Sequence, residues 1–339
     1  MFRPKYSINN NLLKHIKQIA SLITELNSQT FSDVILLELE KNAREISSFS
    51  STSIEGNPLP LTAVKKILKS KPSNIRDSEK EVLNYNQALK KLNTGHNRFN
   101  LNLILNIQKT ITKGLIADYA NGKIRKEPVF VNDPRKREPI YLPPDHQDVK
   151  PLLNDLIKYV QQNKKKVDPL ILAGIFHKQF VIIHPFIDGN GRCARLATKV
   201  LLADMGLNTF NLFSFENYYN KNVSRYFQKV GAFGSYYDIE KDIDFTEWLE
   251  YFTDGIIDEL LRVEKELESF IITPDKTLKP YHQKLLNYIK KNGFITDKDY
   301  AKLTERAKAT RSLDFRKLIE MGLIERAGKG KSTYYKLKQ

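Results

Sequence analysis

The chain of 339 residues holds a single cysteine, Cys193, a single tryptophan and only three methionines. One thiol excludes an intrachain disulfide and any metal cage built on cysteines, which suits a reducing cytoplasm. A zinc site on histidine is no better supported, because His177 and His184 stand seven apart, further than one helical turn, with no cysteines beside them. Nowhere do about 18 apolar residues run uninterrupted, and the opening MFRPKYSINNNLLKHIKQIA lacks the apolar core of a cleavable signal. The expectation is a soluble, cytoplasmic protein without a membrane partner. Internal repeats and low-complexity tracts are absent as well.

What the chain has in excess is positive charge, and the excess is uneven. Of a net charge of +16, the last 59 residues, Tyr281 to Gln339, supply +9 from 15 Lys/Arg and 6 Asp/Glu. The other 280 residues carry the remaining +7. A polyanion partner is therefore expected for the terminal segment in particular.

Most of the chain has helical periodicity. Apolar residues recur three and four apart over Asn11–Leu26, Phe31–Ile46, Glu81–Leu92, Leu101–Leu115, Val149–Gln162, Asp168–Ile183, Arg192–Met205 and Asp244–Phe270. The pattern changes over VFVNDPRKREPIYLPP, where two short β-like runs, Val129–Val131 and Pro139–Leu142, flank a charged turn containing Pro134. These signals predict a mainly α fold interrupted by a hairpin. The organisation expected is a helical N-terminal region (1–100), a central domain (101–272), a Pro-interrupted linker (273–280) and a small terminal domain (281–339).

In that terminal domain three helical runs, Gln283–Lys291, Asp297–Thr304 and Ala307–Met321, precede two strand-like runs separated by AGKGKS. Three helices and a hairpin in this order predict a winged helix, a relative of the helix-turn-helix. Lys308, Arg311, Arg316 and Lys317 on the third helix, with Lys329 and Lys331 in the turn, could neutralise the phosphates of duplex DNA.

The densest chemistry lies in HPFIDGNGRCAR, His184 to Arg195. The turn Asp188-Gly189-Asn190-Gly191 feeds the N-terminus of a helix, and its two glycines let backbone N–H groups converge as an anion cradle. Arg192 and Arg195 share one side of the first turn. Cations are unfavourable at that end of a helix, so an anion should compensate them. Pro185 predicts an extended backbone at His184 and a defined exit for its imidazole, which can accept a hydroxyl proton near neutral pH. Asp188, one carboxylate beside a phosphate cradle, suits Mg²⁺.

The stretch resembles the Fic (filamentation induced by cAMP) signature HPFx[D/E]GNGRxxR and matches every fixed position. The likeness extends over roughly residues 30 to 260 and includes GKIRKEPVFV…IYLPP, which is similar to the family's flap hairpin. The resemblance implies a helical domain that transfers AMP from ATP to a hydroxyl side chain of a target protein. It implies His184 as general base and Asp188 as Mg²⁺ ligand. The nucleotide site would comprise Asp188, Gly189, Asn190, Gly191, Arg192, Cys193, Ala194 and Arg195, with the two arginines on the phosphate chain. For adenine it suggests Tyr226 of the Tyr226-Phe227 pair, with Tyr218-Tyr219 as competitor. Val129, Val131 and Asn132 would dock the target by strand addition. Asn132 replaces a frequent glycine, and DPRKRE lengthens the turn.

SSTSIEGNPL resembles the family's inhibitory motif [S/T]xxxE[G/N], with Ser51, Glu55 and Gly56 at the matching places. An ion pair between Glu55 and Arg195 would occupy the arginine needed for the γ-phosphate. The expected function is an autoinhibited protein adenylyltransferase. The alternatives are a DNA-binding regulator whose Fic domain senses nucleotide, and an enzyme that removes AMP. A homodimer is compatible with each.

Overall fold

The computed structural model describes residues 2–31, 33–70, 74–94, 97–132, 139–272, 278–321, 323–328 and 330–338. The chain is mainly α-helical and falls into two compact units. One comprises Met1–Asn27 and Arg44–Leu261, the other Ser28–Ala43 and Arg262–Gln339. The units are thus not consecutive in sequence, unlike the segments 1–100 and 281–339 expected from composition.

In the first unit, α1 (Asn10–Ser28) buries Leu12, Ile19, Leu22 and Leu26, the stripe its periodicity predicts. Then come α2 (Asp33–Ile54), which belongs to this unit from Arg44 on, α3 (Leu61–Lys69), α4 (Asp77–Thr94) and α5 (Leu101–Ile111). Asn100 caps α5 by accepting from the Leu103 N–H at 2.9 Å. The helix α2 runs eight residues beyond the predicted Ile46, through SSFSSTSI, and its long polar face gave no periodic signal.

A small sheet follows. β1 (Val131–Asn132) pairs antiparallel with β2 (Pro139–Leu142), with Val131 opposite Tyr141. Val129 lies before the strand, so the first arm is shorter than expected, and the DPRKRE turn is outside the described residues. Tyr141 fastens the hairpin by donating to the Ile182 carbonyl at 3.0 Å.

α6 (His146–Asn163), α7 (Pro169–Ile183) and α8 (Asn190–Leu202) form the centre of this unit. Asp168 caps α7 by accepting from the Leu170 N–H at 2.8 Å, and Pro169 occupies the first turn. Nearly every residue of α7 is buried, so it is a central helix without a polar face. After α9 (Glu216–Lys221) and α10 (Val223–Val230), β3 (Gly234–Ser235) adds parallel to β2, so that β1 and β3 are the two edges. α11 (Tyr236–Ile239) and α12 (Thr246–Ile272) complete the unit, the latter as far as Leu261. Gly174 on α7 admits α12 closely, since a Cβ there would meet Leu249 and Phe252, and the Trp248 indole N–H donates to the Gly174 carbonyl at 2.8 Å.

The second unit contains α13 (Pro280–Asn292), α14 (Asp297–Leu303), α15 (Lys308–Glu320), β4 (Ile324–Ala327) and β5 (Tyr334–Leu337). The order is three helices and an antiparallel hairpin with Ile324 opposite Leu337. Leu285, Leu286, Ile289, Tyr300, Phe315 and Leu318 fill its core, and Tyr335 stacks on Phe315 at 3.9 Å. A reciprocal capping box between Thr296 and Asp299 starts α14. Leu278 is buried in the same core, so the expected linker 273–280 ends earlier; its residues 273–277 lie outside the described ones, as does Lys329.

Candidate active site

His184 ends α7. Its N–H completes the last helical hydrogen bond, to Phe180 O at 3.1 Å, while its own backbone is left-handed, φ 50° and ψ 61°. Pro185 does not hold it extended, as the sequence suggested. Among the described residues it is the non-glycine residue with positive φ. The chain must reverse at a helix end, and that need overrides the preference for extended backbone before proline. The imidazole is half-buried, with Nδ1 3.2 Å from the Val181 carbonyl. A carbonyl only accepts, so Nδ1 carries the proton and Nε2 keeps a free lone pair. Burial pushes the pKa down to about 4, the Val181 bond opposes this, and the nearby Arg125 charge lowers it further. The ring is neutral at physiological pH.

The loop from Pro185 leads straight into α8. Gly189 has φ +83°, and a Cβ there would press on Thr112 and Ile111, so the turn requires glycine. The Asn190 side chain, on the residue whose backbone N–H is expected in the anion cradle, turns back into the loop. Its amide accepts from the Phe186 N–H at 2.9 Å and donates to the Phe186 carbonyl at 2.8 Å, closing the loop. Cys193 and Ala194 are fully buried, and the Cys193 thiol lies 3.6 Å from the Ile104 carbonyl. Their side chains belong to the core, so they contribute no nucleotide-lining surface.

Carboxylates compensate the two arginines of the first turn. Arg192 donates bidentately to Asp188 at 2.8 and 2.9 Å and meets Glu81 of α4 at 2.6 Å. Arg195 is fully buried and spreads its donors over the end of α2. Nε bonds Ser51 Oγ at 2.8 Å, and Nη2 bonds the Ser51 carbonyl at 2.9 Å and Glu55 Oε1 at 2.7 Å. Burial lowers the Arg195 pKa, but the Glu55 carboxylate together with the neighbouring Tyr226 and Tyr85 outweighs it and holds the guanidinium above its usual value. Gly56, φ +91°, terminates α2 with the Asn57 N–H on the Thr52 carbonyl and the Gly56 N–H on the Ser53 carbonyl. That termination aims Glu55 at the head of α8, where its carboxylate fills the space a Cβ on Gly191 would need.

Glu81 and Tyr85 of α4 had no sequence signal. Glu81 also accepts from the Asn57 amide at 2.6 Å, and burial raises its pKa although Arg192 opposes this. Tyr85 is buried and donates to Glu216 at 2.7 Å. Only the unabsorbed Arg192 charge could have called for Glu81. Tyr226, expected against adenine, is 1 % exposed. Its hydroxyl meets Arg195 at 3.3 Å and His177 at 3.0 Å, and its ring stacks on Tyr219 at 4.6 Å. Here it supports Arg195 from behind. Tyr218 packs on Tyr251 of α12.

The donor set fits a magnesium ion of the kind that takes few protein ligands. Asp188 presents a partly exposed carboxylate at the head of α8, and no cluster of three His, Cys, Asp or Glu exists among the described residues. Around Asp188, then, lie a neutral imidazole, the unpaired N–H groups of a helix and two arginines, one of them blocked by Glu55.

Residues 98–202, which contain Arg125, His184, the motif loop and α8, match the Fic/DOC family model. A protein adenylyltransferase fic-1 of Caenorhabditis briggsae is 27% identical over 208 residues, 59% of this chain and 39% of that protein. The chain thus spans well under half of that relative. A solved Fic family protein from Desulfovibrio desulfuricans G20 superposes with TM-score 0.67 at 20% identity, covering 99% of this chain and 98% of that one. Fic-1 of Caenorhabditis elegans (residues 134–508) gives 0.59 at 20% identity, covering 76% and 73%. These two likenesses establish the fold.

Proposed function

The chain is a Fic family protein, and from that premise we propose that it is an autoinhibited protein adenylyltransferase, moving AMP from ATP to a hydroxyl side chain of a target protein. The observation that carries the reading is the free Nε2 of a neutral His184 at the mouth of an anion-binding helix end. A target hydroxyl gives its proton to Nε2 as its oxygen attacks the α-phosphorus. The bond from that phosphorus to the bridging oxygen breaks, and pyrophosphate leaves. The N–H groups at the start of α8, with Arg192 and Arg195, stabilise the charge that develops on the phosphates. Asp188 would hold Mg²⁺, which neutralises the phosphate chain when bound. The edge strand β1, with Val131 and Asn132, offers its open side for the target segment, and Val129 lies on the lead-in.

Glu55 supplies the restraint. While it holds Arg195, the γ-phosphate has no guanidinium to dock on, and the Glu55 carboxylate competes with it for the head of α8. The test is incubation of the protein and its Glu55→Gly variant with α-labelled ATP and Mg²⁺. Label on protein, stronger for the variant and abolished by His184→Ala, supports the reading. Label transferred without His184 would overturn it, and release of AMP from a labelled protein would make the enzyme hydrolytic.

A second activity is favoured by the exposed face of α15. Lys308, Ser312 and Arg316 are exposed at four-residue spacing, with Lys317 exposed beside Arg316, as a winged helix reading duplex DNA would require. Arg311 is withdrawn from that face by Asp297, at 2.9 Å. Arg316→Glu with Lys317→Glu should weaken salt-dependent DNA binding of the full chain. Equal binding by both proteins would leave α15 as a protein-interaction surface.

A further inference from the structure

Arg125 lies in the lead-in to the hairpin, within the stretch GKIRKEPVFV, and is 3 % exposed. Among the described residues no carboxylate forms an ion pair with it. All its hydrogen-bond acceptors are backbone carbonyls. Nε donates to the carbonyl of His184 at 2.9 Å, Nη1 to that of Glu127 at 3.1 Å, and Nη2 to that of Pro144. Its backbone N–H donates to the Pro185 carbonyl at 3.0 Å. Burial lowers its pKa and the carboxylate of Asp145 opposes this only from beyond ion-pair distance, so burying the guanidinium without a direct ion pair calls for a reason.

The acceptors supply one. Glu127 precedes β1 and Pro144 follows β2, so they stand at the roots of the two arms of the hairpin. The third carbonyl belongs to His184, whose left-handed backbone a helix end would normally assign to glycine. Glycine cannot serve here because the position must carry an imidazole. The strained peptide therefore needs outside support, and Arg125 gives it from both backbone and side chain.

We propose that Arg125 is a positioning residue that fixes the His184–Pro185 peptide to both roots of the hairpin, so that the base and the strand presenting the target hydroxyl keep one geometry. This rests on the adenylyl-transfer reading for its purpose, but the fork itself is independent of it. A lysine has one donor group at the end of a flexible stem and cannot serve three diverging carbonyls at once. The charged groups facing His184 are Arg125 from the lead-in, Glu55 from the end of α2 and Asp188 from the motif loop. Of these, only Arg125 opposes protonation of the ring, so its charge and its fork can be separated.

The experiment uses the full chain in the Glu55→Gly background, where transfer is measurable, with Arg125→Gln and Arg125→Lys added singly. The readouts are kcat and KM for ATP, thermal melting, and titration of the His184 ring by NMR. Arg125→Gln should lower kcat by about 10- to 100-fold, as expected for a small misplacement of a reacting group, with KM for ATP within about twofold. Its His184 midpoint should rise towards the ordinary histidine value. Arg125→Lys should restore that midpoint while kcat stays low. Full kcat in either folded variant would overturn the proposal, as would kcat and KM failing together with melting. Should Arg125→Gln not fold, the lysine variant decides through its kcat at unchanged midpoint. If no protein transfers label at all, the adenylyltransferase reading falls. A His184 line position below pH 4 that differs between wild type and the lysine variant would still report the fork, and identity of the two would overturn it.

Discussion

The head of α8 and the second unit both hold a pair of arginines against carboxylates, yet the pairs differ in kind. In the second unit Arg306 grips Asp314 at 2.8 and 3.0 Å, and Arg311 grips Asp297 at 2.9 Å; the partners are 8 and 14 residues apart. Asp314 also accepts from Tyr300 at 2.9 Å, lies 3.3 Å from His282 and is almost fully buried. Arg195 and Glu55 are 140 residues apart, and the Glu55 side chain remains 27% exposed. A carboxylate with several buried partners is a brace. One that stands at a helix end with a single buried cation can leave, provided another anion replaces it, and a triphosphate is such an anion.

The largest effect that would sharpen this comparison is on rate. Glu55→Gly should raise label transfer by about 10- to 1000-fold, a change of ~1.4 kcal/mol per tenfold. In an Arg195→Ala background it should give no such gain, because the two residues act as one pair. An equal gain there would mean that Glu55 acts elsewhere. On the other side, Asp314→Ala should destabilise the second unit by roughly 3–5 kcal/mol, the penalty for stranding buried partners, read by denaturant melting. An unchanged melting curve would make Asp314 no brace.

Acid should also separate the two regions. Because the His184 pKa is depressed to about 4, transfer by Glu55→Gly should stay level from neutral pH to about pH 5 and fall as the ring protonates. The unfolded chain takes up that proton near pH 6.5, so this histidine's contribution to stability is complete above that value. It is lost progressively as pH falls towards 4. Transfer that already halves near pH 6.5 would show an ordinary, exposed imidazole. A smaller effect is expected of Gly191→Ala, whose methyl would displace the flexible end of Glu55 and raise transfer a few-fold while crowding Arg195. Smallest of all, Asp297→Ala removes a partner from a pair exposed on its acidic side and should cost below about 1 kcal/mol in the same melt.

Much of the fold was legible because helix periodicity, Asp168-Pro169 at the start of α7 and the Pro/Gly-punctuated hairpin are local signals. α3, α9, α10 and α11 were not read; they are short, and brief runs carry too few turns to display a period. The site was legible in part. Glu55 and Arg195 stand in the two motifs and form the expected ion pair at 2.7 Å, while the roles of His184 and Asp188 belong to the proposed function. Asn190, Cys193, Ala194 and Tyr226 stand in or near the same motifs but face a loop, the core or Arg195, since a linear motif does not say which face of a helix looks outward.

The sequence by itself determined the candidate reacting groups, the glycine-rich turn before α8, and the charge asymmetry of the chain, because each depends on residue type and short spacing. Tertiary structure alone decided that His184 is left-handed with Nε2 free, that Glu81 braces Arg192, and that Arg125 joins the His184 carbonyl to both roots of the hairpin. These depend on where segments distant in sequence come to rest. Burial then fixes which charges must be paired and which proton stays off, and no local pattern encodes burial.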